Sequence, residues 1–138
     1  MITKDGAPSP KLGVSPIDFF FYNADYCLLK LSSMRTDNNS GEIITLDEAV
    51  EYTHAFQKNN PDALKAFFVG RNKINRILEQ NDCIGVRIYN GLDAESGKNN
   101  LVLVGVNAEG EDITEGVILE KLNPCPTDCA KSSPLISE

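Results

Sequence analysis

The chain has 138 residues, 41% of them hydrophobic and 24% charged, with a formal net charge of −7. A chain of that length closes a core without staples, and this composition excludes a wholly disordered chain. The acidity excludes the basic footprint that nucleic acid or an anionic membrane surface requires, so neither is expected as a partner, and it serves solubility instead.

Residues 1–14 hold Gly6, Pro8, Pro10 and Gly13 with little to bury, and they read as a mobile tail. Residues 1–15 lack the apolar stretch of a secretory signal, so a cytoplasmic location is expected. Ser15-Pro16-Ile17-Asp18 then has the letters of a helix start: a capping serine, a first-turn proline and an aspartate at the positive end. Ile17, Phe20, Phe21, Ala24, Leu28 and Leu31 continue at helical spacing, while the density of aromatics would also suit strands at 19–22 and 26–31.

A polar loop, residues 36–42, leads to Thr45-Leu46-Asp47-Glu48, a capping box. A helix should run from there to about Lys58, burying Leu46, Ala49, Val50, Thr53 and Phe56. Asn59-Asn60-Pro61 breaks it. Leu64, Phe67 and Phe68, then Ile74, Ile77 and Leu78, suggest further helix up to Asn81, with Gly70 either a hinge or a tolerated glycine. At Cys83 the period changes. Ile84, Val86 and Ile88 alternate with Gly85, Arg87 and Tyr89, as a strand demands. Residues 90–100 turn, 101–106 form a near-continuous apolar strand, and 113–119 return as a third strand. From Asn123 the chain carries Pro124, Pro126 and Pro134 and reads as an extended or irregular tail. The expected fold is α+β: helices followed by a small antiparallel sheet in one domain, residues 15–122, with a Pro- and Cys-containing tail at 123–138.

Several blocks in order, among them Thr45-Leu46-Asp47-Glu48-Ala49, Lys65-Ala66-Phe67-Phe68-Val69-Gly70-Arg71, Cys83-Ile84-Gly85-Val86-Arg87-Ile88-Tyr89, Leu101-Val102-Leu103-Val104-Gly105-Val106 and Pro124-Cys125-Pro126-Thr127-Asp128-Cys129, carry a resemblance. Over residues 45–129 the chain resembles a family of small uncharacterised proteins found chiefly in Bacteroidetes. The first 40 residues lie outside it. The resemblance implies no activity and transfers no site residue.

No nucleophile elbow, dinucleotide fingerprint or P-loop is present, so no catalytic residue and no cofactor are expected. Asp37 to Glu48 has the ends of a calcium loop, but its glycine falls one position early, and a turn plus a helix cap explains the same letters. The lone His54 falls at an ordinary position on a helix surface. Cys125 and Cys129 anchor a tail or form a disulfide. A metal would need two further ligands, from Cys83 with Cys27 or His54, and none is expected. Arg71, Lys73 and Arg76 form a basic run, read first as a solvated face and second as a grip on an anion or acidic partner.

The strand 101–106 is apolar on both faces, and helices cover only one face of a small sheet. The other requires residues 17–31 or a second copy of the chain. The favoured function is a non-enzymatic binding or assembly module using an apolar sheet face, with an unidentified protein or a homodimer partner. Its surface is expected at Arg71, Arg87, Tyr89, Leu101 and Leu103. The alternative is a small-ligand protein or weak enzyme with a cleft near Arg71, Cys83, Arg87 and Tyr89.

Overall fold

The helix expected at Thr45 is the first element among the described residues, 36–138 of a computed structural model. The tail expected at 1–14, the reading of 17–31 and Cys27 lie outside the described residues. Helix α1 spans Leu46–Asn59. Its capping box forms: the Glu48 amide donates to Thr45 Oγ1 at 3.3 Å, and the Thr45 amide donates to the Glu48 carboxylate at 2.9 Å. Asn60 ends it, its backbone and side-chain amides both donating to Phe56 O at 2.9 and 3.0 Å.

Residues 62–69 depart from the helical expectation. Ala66–Phe68 form strand β1, and helix α2 starts only at Arg71 and runs to Leu78. A single helical turn of apolar residues does not distinguish helix from strand. What decides it is a distant partner: β1 pairs antiparallel with Asn123–Cys125, Ala66 opposite Cys125 and Phe68 opposite Asn123. Gly70 is therefore the residue before α2, neither a hinge between helices nor a glycine inside one.

Strands β2 (Cys83–Leu92) and β3 (Asn99–Asn107) form a long antiparallel hairpin. Its loop is closed by Asp93, whose carboxylate accepts from Ser96 Oγ at 2.5 Å and from the Ser96 amide at 3.2 Å, while Gly97 takes the positive φ of +67°. The third strand, expected over 113–119, shortens to β4, Ile118–Leu119, with Asp112 bridging back to Val106. The sheet order is β2-β3-β4, antiparallel throughout, and β5 (Asn123–Cys125) completes the separate two-stranded sheet with β1. The fold is α+β with antiparallel sheets.

Register assigns the faces. Val86, Ile88 and Asn90 oppose Gly105, Leu103 and Leu101 on one face; Arg87 and Tyr89 oppose Val104 and Val102 on the other. Helix α2 lies on the first face at the Gly105 end. A Cβ on Gly105 would stand 2.9 Å from Gln80 Nε2, 3.1 Å from Cys83 Sγ and 3.2 Å from Ile77 Cγ2, so the helix end comes this close only because the strand carries glycine there. Among the described residues the buried apolar side chains are Ile77, Leu103, Val104, Val106 and Cys125, so the second half of β3 is buried on both faces. Gln80 fastens α2 to the return strand, with Nε2 donating to Ile77 O at 2.9 Å and Oε1 accepting from the Val117 amide at 2.6 Å.

Helix α1 presents the expected stripe only in part. Ala49, Val50 and Thr53 are half-buried, Leu46 and Phe56 are exposed, and the fully buried residue is Gln57. The C-terminal segment explains this. Gln57 Nε2 donates to Leu135 O at 2.9 Å, and Gln57 Oε1 accepts from the Ser137 amide and hydroxyl, both at 2.8 Å. Residues 123–138 thus belong to the same compact unit as the rest of 36–138. Among the described residues no helix is long and apolar enough to cross a membrane.

Candidate functional site

Arg87 and Tyr89 share a face of β2 as the alternation requires, and both meet Asp112. Arg87 Nη1 donates to Asp112 Oδ1 at 2.5 Å and Nη2 to Gly110 O at 3.1 Å; the Tyr89 hydroxyl donates to Asp112 Oδ2. Hydrogen bonding with Tyr89, then the Asp112 charge, raises the Arg87 pKa further, so the group is a permanent cation. Both carboxylate oxygens of Asp112 are occupied, and the arrangement ties the 108–112 turn to β2. Asp112 was missing from the sequence reading. The hairpin turn at Ala108–Glu111 was the available signal, because it places Asp112 beside Val106, on the face that Arg87 occupies.

The second expected cluster is not assembled. Cys83 Sγ donates to Gly85 O at 3.2 Å and sits against Gly105 under α2, on the face opposite Arg87 and Tyr89. Arg71, Lys73 and Arg76 are exposed on α2. Leu103, expected at a partner surface, is 2% exposed and belongs to the core. His54 is not a free surface residue: its Nε2 lies 2.8 Å from Pro134 O, an acceptor, so that nitrogen carries the proton.

Cys125 and Cys129 are joined in a disulfide, which removes both thiolates from any metal reading. Among the described residues no group of three or more His, Cys, Asp or Glu side chains is placed to hold a metal ion. The Asp37 loop closes on itself, its carboxylate accepting from the Asn39 amide at 2.8 Å. The disulfide lies beside a groove of about 430 Å³ between α1, β1 and the C-terminal segment, lined in part by Thr53, Gln57, Phe68 and Leu135.

An apolar surface remains where α2 ends. The hairpin is longer than the helix that covers it. On the α2 face, Ile88, opposite Leu103, is 58% exposed and Leu92, at the loop end of the hairpin, is 72% exposed, with half-buried Leu101 between them in register. Of the residues expected at a partner surface, Leu101 is in this patch. Ile88 and Leu92 were missed because alternation alone does not show where a covering helix stops. The outer edge of β2 is unpaired among the described residues, and a groove of about 480 Å³ runs along it between Thr36–Ser40 and Ile84–Ile88.

Comparison of the chain with family models, with curated proteins and with solved structures gives no match.

Proposed function

We propose that the protein is a non-enzymatic assembly module whose contact surface is the uncovered end of the β2–β3 hairpin. The observation that carries this reading is the change in exposure over one sheet face, from buried Leu103 on β3 to exposed Ile88 opposite it on β2 and exposed Leu92 toward the loop. Exposed large aliphatics continuous with a core are the kind of surface that a second protein covers. The unpaired β2 edge adds main-chain donors and acceptors to the same surface. The occupant proposed is a second copy of this chain, the partner that needs no further gene product. The small-ligand alternative is less well supported. Arg87 and Tyr89 are both engaged by Asp112, and Cys83 stands on the other face.

The test is light scattering across a concentration series. The expected result is a concentration-dependent dimer that Ile88→Lys with Leu92→Lys converts to monomer without lowering the melting temperature. A wild-type protein monomeric throughout would overturn self-assembly. The resemblance over residues 45–129 remains a proposal resting on its sequence blocks. So does the cytoplasmic location, which the Cys125–Cys129 bond opposes, because reducing compartments keep thiols open. Alkylation of Cys125 and Cys129 in intact cells would decide between the compartments.

A further inference from the structure

We propose that the Cys125–Cys129 disulfide is a site of thiol–disulfide exchange for a low-molecular-weight cysteinyl thiol, and that its state sets how tightly residues 130–138 are held on α1. The site is separate from the hairpin surface and does not rest on the function proposed for it.

The two sulfurs are unequal. Cys125 is 3% exposed, held in β5 against β1, whereas Cys129 is exposed. Both line the groove of about 430 Å³ beside α1, so a small thiol has room to approach. Exchange requires a thiolate to attack one sulfur while the other leaves. Access makes Cys129 Sγ the one attacked. A bond forms between the incoming sulfur and Cys129, the Cys125–Cys129 bond breaks, and its electron pair goes to Cys125, which takes a proton from water. A second thiol attacks the mixed disulfide, releases the small-molecule disulfide and leaves two protein thiols. Two thiols are oxidised and the protein disulfide is reduced by two electrons.

The segment beyond Cys129 is held by polar contacts at four backbone points. His54 meets Pro134 O at 2.8 Å, Gln57 spans Leu135 O and the Ser137 amide at 2.9 and 2.8 Å, and Lys65 Nζ donates to Ser137 O at 2.9 Å. Gln57 is 7% exposed, so leaving its amide unsatisfied is costly and the contact is made whenever the segment can reach it. The disulfide closes the short ring 125–129 between β5 and this segment. It therefore restricts the directions in which the segment can leave, and opening the ring enlarges the detached ensemble. Closing a ring this small removes freedom equivalent to about 30-fold in an equilibrium, which bounds the effect.

The experiment follows amide exchange at Ser137 in the full-length protein, air-oxidised and then equilibrated with glutathione, with peptide mapping of the cysteines in each state. The expected result is a Cys125–Cys129 link in the oxidised protein, a glutathione adduct trapped on Cys129, and faster exchange at Ser137 on reduction, from a few-fold up to about 30-fold. Cys129→Ser, at an exposed position, should exchange at the reduced rate with or without glutathione, which separates this bond from Cys27 and Cys83. Unlinked Cys125 and Cys129 in the oxidised protein, an adduct on Cys125 instead, or equal exchange in both states would each overturn the proposal.

Discussion

Asp112 accepts from a guanidinium and a phenol at once, and both donors stand on one strand while the acceptor stands on a turn. The Arg87 and Asp112 side chains are 35% and 20% exposed, so solvent screens the pair. Arg87→Ala is therefore expected to cost little and leave the domain folded. Val86→Asp, one residue away on the α2 face opposite Gly105, should be the more destabilising of the two, because it sets a carboxylate at a half-buried apolar position. Thermal melts of the two variants check the register, since equal losses would mean that the faces are exchanged. Glu48 gives a pH prediction. The Thr45 backbone and then side-chain hydrogen bonds lower its pKa from the ordinary value of 4.5. A carboxylate with a lowered folded pKa stabilises the protein above its unfolded pKa and loses that contribution as pH falls through the folded one. Stability should thus decline on the acid side of 4.5, and Glu48→Gln, which keeps an acceptor but does not titrate, should flatten that limb in melts across acid pH. The Thr45–Glu48 box was legible because its partners are three residues apart. Asp112 and Gln57 were not, because their partners are 25 and 80 residues away.

The elements divide in the same way. Alternation over 83–89 and the capping box carried β2 and α1 correctly, since both signals lie within one element. Strand β1 was illegible for a physical reason: three residues become a strand only when Asn123–Cys125 arrives beside them. The ends of the α1 stripe, Leu46 and Phe56, were misjudged, because hydrophobic spacing does not show that Gln57 takes the buried place by holding a backbone segment. Gly105 is where two elements depend on one missing atom. Gly105→Ala should push the end of α2 outward, since Ile77 and Cys83 are not the far ends of flexible side chains, and should lower stability by about 1–3 kcal/mol. A denaturant melt measures it. Unchanged stability would mean that α2 is free to shift.

For the whole molecule, the apolar strand 101–106 invited the idea of a large uncovered sheet face. The structure moves the uncovered surface. Leu103, Val104 and Val106 are buried, and the exposed aliphatics are Ile88, opposite Leu103 on β2, and Leu92, at the loop end of the hairpin. Leu103→Ala should therefore act on folding, at about 2–5 kcal/mol, and not on association. Leu92→Lys should do the reverse. If Leu103→Ala left the melt unchanged, the core assignment would fail. Sequence pattern identified the hairpin but not its uncovered end, because that end is set by the length of α2 relative to β2 and by no residue's own chemistry.

The grip of Gln57 on Leu135 and Ser137 has an evolutionary consequence. A glutamine amide that spans a carbonyl and an amide two residues on imitates a neighbouring strand and reads the main chain, with the Ser137 hydroxyl adding one side-chain bond. Such a contact should fix the spacing of 135 and 137 more strictly than the identity at 137. In a saturation library Ser137→Ala and Ser137→Thr should survive selection for folded protein. Single insertions or deletions between them should be purged, and so should Ser137→Pro, the one residue that removes the donor.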